Sequence, residues 1–322
     1  MSVSVSVSAS ALGSTAGSAS TAGDGEAKRA GAGEGRHIVY GDLGERDTAV
    51  LATALIAKGV PFEVIEESAS LSWALASRAG RETGPYLRTP EGFVLAGTLE
   101  ILDWLERVHP DPVLVPTTPV RQICTRLIED WIMDWLPLWP RRSWATLREV
   151  GAHLGDKGFL LGPKPTRPDL MLGAWLESDV LIHDHAREEL SGSAPRLLSF
   201  AEEVLEAEPG ARVDEGDDVI PISLTAVLGR MARDYHGYLE LNQRAIKEGA
   251  SVVHLDLGLG AQSLPVRRVC EARRMERGYA LERFSAPVRH DIRRVLEPVG
   301  AWHVLTLPAV LPPADPADPR SL

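Results

Sequence analysis

Cysteine is scarce in this 322-residue sequence: Cys124 and Cys270 are the only two. They fall in no CxxC or zinc-type spacing, which excludes a disulfide scaffold and points to a reducing compartment. Each is flanked by apolar and basic helical residues and reads as a buried, inert thiol. Long apolar runs are missing as well. Nothing approaches the roughly eighteen consecutive apolar residues of a transmembrane helix, and residues 1–13 lack the basic start and apolar block of a secretory signal. The expected protein is soluble and cytoplasmic, with no membrane partner. Basic side chains are outnumbered, 34 Lys and Arg against 45 Asp and Glu, for a net charge of −11. That balance argues against nucleic acid or an anionic membrane as partner.

What is present is ordinary globular material, 44% hydrophobic and 25% charged, and the length favours two domains. Residues 1–36 are dominated by Ser, Ala, Gly and Thr and contain no aromatic residue. They read as a disordered tail. Order is expected from His37-Ile38-Val39-Tyr40, a short strand halted at Gly41-Asp42. Asp47 or Thr48 then caps a helix with apolar positions Val50, Leu51, Ala54 and Leu55, which ends at Lys58-Gly59. Pro61–Ile65 resumes as a second strand. This βαβ order demands a parallel pair with a right-handed crossover. A helix over Leu71–Ala79 and two short strands about the turn Thr89-Pro90-Glu91-Gly92 follow. An amphipathic helix capped by Thr98 comes next, giving βαβαββα.

From Val120 the pattern turns to long helices. Ile123, Leu127, Ile128, Trp131, Trp135 and Trp139 share one stripe, interrupted at Pro137 and Pro140. Thr166-Arg167-Pro168-Asp169 fits a capping box, with Asp in place of Glu, and opens a helix that is apolar nearly all round and hence central. Helices over Pro195–Ala207 and Ser223–Gly249 are separated by the acidic run Asp214–Asp218. Ser251–Leu255 reads as a strand, Val266–Arg283 and Ala286–Leu296 as helices, and Trp302–Leu307 as a closing strand.

Three segments in this order resemble the cytosolic glutathione S-transferase family. They are Ala57–Glu63 at the link into the second strand, Pro85–Glu106 from an X-Pro strand through the turn to a helix, and Phe159–Asp169 at the start of the central helix. The resemblance covers about Ile38–Leu205. It implies a thioredoxin-like α/β domain followed by an all-α C-terminal-type domain, with a likeness to extended bacterial members at Glu240–Gly249. The expected division is a tail at 1–36, a thiol-binding domain at 37–112, an all-helical domain at 119–210, a mostly helical extension packed on it at 211–310, and a second disordered tail at 311–322.

The resemblance also implies a site. The residue before a cis-proline can present its N–H and C=O to a peptide-like ligand as a strand would, which here assigns thiol binding to Gly84 and Pro85. Thr98, at a helix N-terminus, takes the position of the ligand carboxylate. Its predecessor, acidic in the family, is Gly97, which completes the expected thiol-binding set of Gly84, Pro85, Gly97 and Thr98. The usual Ser or Cys position falls on Glu45, and a carboxylate there disfavours a thiolate. Tyr40, Thr48 and the charge of Arg46 are the substitute candidates for catalysis. The competing reading makes Tyr40 a core residue and Thr48 a helix cap. The first long helix supplies Asp130, Trp131, Met133, Asp134 and Trp135 as lining for an electrophile pocket, or as core.

Other signals are weaker. His183-Asp184-His185 has no metal-site partner spacing, and no metal is expected. Asp234-Tyr235-His236 reads as hydrogen-bonding rather than acid–base machinery. Gly258-Leu259-Gly260 lacks the strand-to-helix setting of a dinucleotide loop. Arg267–Arg277 reads as a solvated helix with ion pairs. The expected activity is that of a homodimeric transferase. It would bind glutathione or another low-molecular-weight thiol and direct it at an apolar electrophile by conjugation or thiol-assisted isomerisation. The competing expectation, from Glu45 and Gly97, is a non-catalytic binding or scaffold protein of the same fold.

Overall fold

The computed structural model describes residues 35–138, 144–155, 158–205, 217–256 and 260–311. All but residues 35, 36 and 311 of the two expected tails, together with Trp139, Pro140 and most of the acidic run 214–218, lie outside the described residues.

The first unit begins with β1 (His37–Tyr40), α1 (Arg46–Ala57) and β2 (Phe62–Ile65). It continues with α2 (Ala69–Ala79), β3 (Tyr86–Arg88), β4 (Val94–Ala96) and α3 (Thr98–Val108). The sheet order is β2-β1-β3-β4. β2 runs parallel to β1, as a βαβ unit requires, and β3 and β4 are antiparallel to their neighbours. Tyr40 pairs with Ile65 on one side and Tyr86 on the other. Side chains alternate along β1, so Val39 joins Leu51, Leu55 and Ile101 on the face covered by α1 and α3. Ile38 and Tyr40 join Tyr86 and Leu75 of α2 in a separate small core on the other face.

Two caps differ from expectation. Helix α1 starts after Glu45 in extended backbone, with no side-chain cap bond, while Asp47 accepts from Arg46 Nε at 2.7 Å. Helix α3 starts after Gly97 at φ 89°, so Thr98 is the first helical residue rather than the cap. A Cβ on Gly97 would collide with the Arg81 guanidinium and the Glu100 carboxylate. The positive φ favours glycine there, and a Cβ would displace the ends of both side chains.

Helices α4 (Pro119–Asp134), α5 (Trp144–Leu154), α6 (Arg167–Trp175), α7 (Asp184–Ser193) and α8 (Arg196–Leu205) follow. Helix α4 stops before Pro137, and a 3₁₀ turn covers Leu136–Leu138. The capping box at α6 is present: Thr166 and Asp169 cap each other's backbone, and Asp169 also accepts from Leu160 N at 2.7 Å. Every residue of α6 is buried, and the helix continues as a π-helical turn over Leu176–Val180. Arg167 ties the units together. Its guanidinium pairs with Glu129 of α4 and Asp103 of α3, each at 2.6 Å.

Beyond these lie α9 (Leu224–Met231), a π-helical turn at Ala232–His236 and α10 (Gly237–Glu248), which together form the single long helix read from the sequence. A hairpin of β5 (Val252–Asp256) and β6 (Ala261–Pro265) leads to α11 (Arg268–Glu282), α12 (Ala286–Leu296) and α13 (Trp302–Leu305). The expected closing strand at Trp302–Leu307 is thus a helical turn. Val304 and Leu305 are buried, and Arg274 Nη1 bonds the Val304 carbonyl at 3.0 Å. Helices α11 and α12 pack on α4, and Asp218 accepts from Val120 N and Arg121 N at the α4 N-terminus. Among the described residues, no helix is long and apolar enough to cross a membrane.

Candidate functional site

Parallel strands β1 and β2 end on the same side of the sheet, where antiparallel β3 begins. Such a carboxyl edge leaves an open crevice next to a helix N-terminus. A cleft of about 740 Å³ lies here, in the range of small-molecule sites. The turn after β1 gives it Gly41, Asp42, Gly44 and Glu45, and the first turn of α1 gives Arg46, Asp47 and Thr48. Glu66 and Glu67 come from the end of β2, Gly84 and Pro85 from the approach to β3, and Asp179 from the π-helical turn after α6.

The Gly84–Pro85 bond is cis. Among the described residues, neither the N–H nor the C=O of Gly84 takes a backbone partner. Thr48 is only 1% exposed yet lines the cleft, and its hydroxyl has no hydrogen-bond partner among the described residues. Gly41, at φ 147°, makes this approach possible, because a Cβ there would run into Thr48 Oγ1. Arg46 also reaches the cleft, with its Nε engaged by Asp47.

Tyr40 is not brought to the cleft; it is buried in the small core beneath α2, because alternation along β1 turns it to that face. Gly97 and Thr98 also fall outside the lining. Gly97 N donates to Pro85 O at 3.2 Å, and the space above it is filled by the Arg81–Glu100 ion pair at 3.0 Å.

The candidate electrophile pocket on α4 is occupied by protein. Asp130 receives Arg277 Nε and Nη2, both at 2.9 Å. Asp134 receives Arg273 at 2.7 Å and the Tyr235 hydroxyl at 3.1 Å. Trp131 and Met133 are buried, and the buried Trp135 ring lies 5.5 Å from Tyr238 and 6.0 Å from Tyr235. Helices α10 and α11 therefore cover the face left for a co-substrate, and these α4 residues are core. The Arg-rich stretch Arg267–Arg277 likewise faces inward at Arg274 and Arg277 instead of being wholly solvated.

Six carboxylates line the cleft, those of Asp42, Glu45, Asp47, Glu66, Glu67 and Asp179, against the single guanidinium of Arg46. Glu67 accepts from Ser72 Oγ at 2.5 Å. Burial and the neighbouring Glu67 both raise the phenol of Tyr86 behind the cleft. The acid pair Glu66-Glu67 directly after β2 was the available sequence signal for this charge, since parallel pairing brings the ends of β1 and β2 together.

Both cysteines are buried, and burial pushes the Cys124 thiol up to about 12 and that of Cys270 further. Neither supplies a thiolate. Among the described residues, no three His, Cys, Asp or Glu side chains are grouped to hold a metal ion.

Residues 48–113 match the family model of the glutathione S-transferase N-terminal domain. Similar solved structures include a glutathione S-transferase from Methylobacterium radiotolerans in complex with glutathione sulfonate, 21% identical, with a TM-score of 0.40 over 58% of this chain and 100% of that one. A Tau class glutathione S-transferase from mango is 16% identical, TM-score 0.43, over 58% and 94% of the two chains. One from Ceriporiopsis subvermispora in complex with glutathione is 14% identical, TM-score 0.41, over 52% and 98%. No curated protein sequence matches the chain. Residues 48–113 are thus of the glutathione S-transferase N-terminal domain type, within a thioredoxin-like βαβαββα unit that a helical part follows.

Proposed function

We propose that the protein is a glutathione S-transferase-like enzyme that holds a small thiol in the cleft at the ends of β1 and β2. The observation that carries this reading is the pairing, on one cavity, of the Gly84 backbone and the hydroxyl of the buried Thr48, neither of which has a hydrogen-bond partner among the described residues. The thiol compound would lie along Gly84 as an added strand. Its sulfur would meet the Thr48 O–H at the N-terminus of α1, where free N–H groups favour a thiolate. In conjugation, sulfur forms a bond to the electrophilic carbon as the leaving group departs with its electron pair, and the thiol proton passes to solvent. Tyr40 has no part in this step, and Arg46 acts only through its residual charge. We place the enzyme in the cytoplasm as a homodimer, which a sizing column tests.

A second reading, a binding protein of this fold without catalysis, is favoured by one feature. Apart from Pro85 the cleft lining is polar or glycine, and its carboxylates oppose a thiolate. Turnover of chlorodinitrobenzene with glutathione or cysteamine separates the two. Turnover that Thr48→Ala lowers supports the enzyme. Folded protein that binds thiol without turnover supports the binding protein.

A further inference from the structure

We propose that the ligand of this cleft is a cation: an amine-bearing thiol, or a thiol peptide whose carboxylates are masked as amides, in preference to free glutathione. This rests on the cleft being the site of the thiol chemistry proposed above. The carboxylates arrive from three separate parts of the chain. Asp42, Glu45 and Asp47 come from the β1–α1 turn, Glu66 and Glu67 from the end of β2, and Asp179 from the helical part. Among the described residues only Asp47 has a cationic partner. The other five carry charge that no ion pair neutralises, although Asp42, Glu67 and Asp179 each accept one hydrogen bond, from Gly44 N, Ser72 Oγ and Ser178 Oγ.

A second, independent feature points the same way. Thr48, 1% exposed, lines the same cavity, and its hydroxyl, with no hydrogen-bond partner among the described residues, can accept from an ammonium N–H. Free glutathione carries two carboxylates and one ammonium. In this cleft its carboxylates would face like charge, and the N-terminus of α3, the other anion-binding element, lies outside the lining. The carboxylates are not grouped as a metal-ion site, which suits ammonium groups spread along a chain better than one small cation.

Calorimetric titration of the full chain with three probes tests this: glutathione, cysteamine (a cationic thiol) and spermidine (a cation with no thiol). Cysteamine and spermidine are expected to bind more tightly than glutathione, to compete with each other, and to weaken as salt rises. Glu45→Gln and Glu66→Gln, both at exposed positions, should each weaken spermidine about 2- to 5-fold. Glu188→Gln on α7, outside the cleft, should change nothing. Tighter binding of glutathione, binding of no probe, or indifference to both cleft substitutions overturns the proposal. The thiol reading fails separately: amine binding with no turnover of any thiol sinks the enzyme and leaves the cation site. Glutathione turnover abolished by Thr48→Ala, with no amine binding, does the reverse.

Discussion

Arg277 of α11 grips Asp130 of α4 with two parallel hydrogen bonds, Nε to Oδ2 and Nη2 to Oδ1, both 2.9 Å, in a setting where both side chains are buried. This pair converts the helix face expected to receive an electrophile into an internal seam. Removing one partner strands a buried charge, which costs about 3–5 kcal/mol. Arg277→Met should lower stability by that order in urea or guanidinium titration. Asp130→Leu added to it should recover much of the loss. If Arg277→Met unfolds at the wild-type midpoint, the seam is not a structural contact.

Thr48 and Gly41 form a second coupled pair. Thr48→Ala should lower thiol turnover by about 10-fold or more, as loss of a preorganised hydroxyl does, while Tyr40→Phe leaves it unchanged. Gly41→Ala should displace the Thr48 hydroxyl and destabilise the chain, since the new Cβ meets Oγ1. The double variant Gly41→Ala/Thr48→Ala should be more stable than Gly41→Ala alone. Kinetics and thermal melts of the four proteins check both statements.

Much of this architecture was readable because local signals agreed with the global fold. The β-branched run at His37–Tyr40, the Gly-Pro before β3 and the box at Thr166–Asp169 each dictate geometry through neighbouring residues. What was unreadable depends on long-range contact. Asp130 and Arg277 are 147 residues apart, so no helical stripe on α4 could reveal that the extension covers it. Trp302–Leu305 has strand-like composition but becomes a helical turn because Val304 and Leu305 pack inward beside α11. Strand β6, Ala-Gln-Ser-Leu-Pro, buries only Leu264 and shows no alternation worth reading. At the cleft, the Gly-Pro turn before β3 and the place of Thr48 in the first turn of α1 follow from local sequence, whereas the six carboxylates come together only by assembly from three segments.

His236 offers a pH prediction. Both ring nitrogens are buried without hydrogen-bond partners among the described residues, and burial lowers its pKa to about 3. The unfolded ring titrates near 6.5, so the native state binds fewer protons between these values and loses stability as pH falls below about 6.5. Near pH 5 this one group costs roughly 2 kcal/mol relative to neutral pH. His236→Leu should remove that part of the acid sensitivity. Denaturant melts of both proteins at several pH values measure the difference, and parallel pH profiles would refute the assignment.

The location of thiol binding decides the central claim most directly, and hydrogen exchange of the full chain with saturating glutathione or cysteamine locates it. Slowed exchange across residues 41–48 and at Gly84, with α4 residues 130–135 unchanged, is the predicted result. Protection confined to 130–135, or no protection by either thiol, would contradict it.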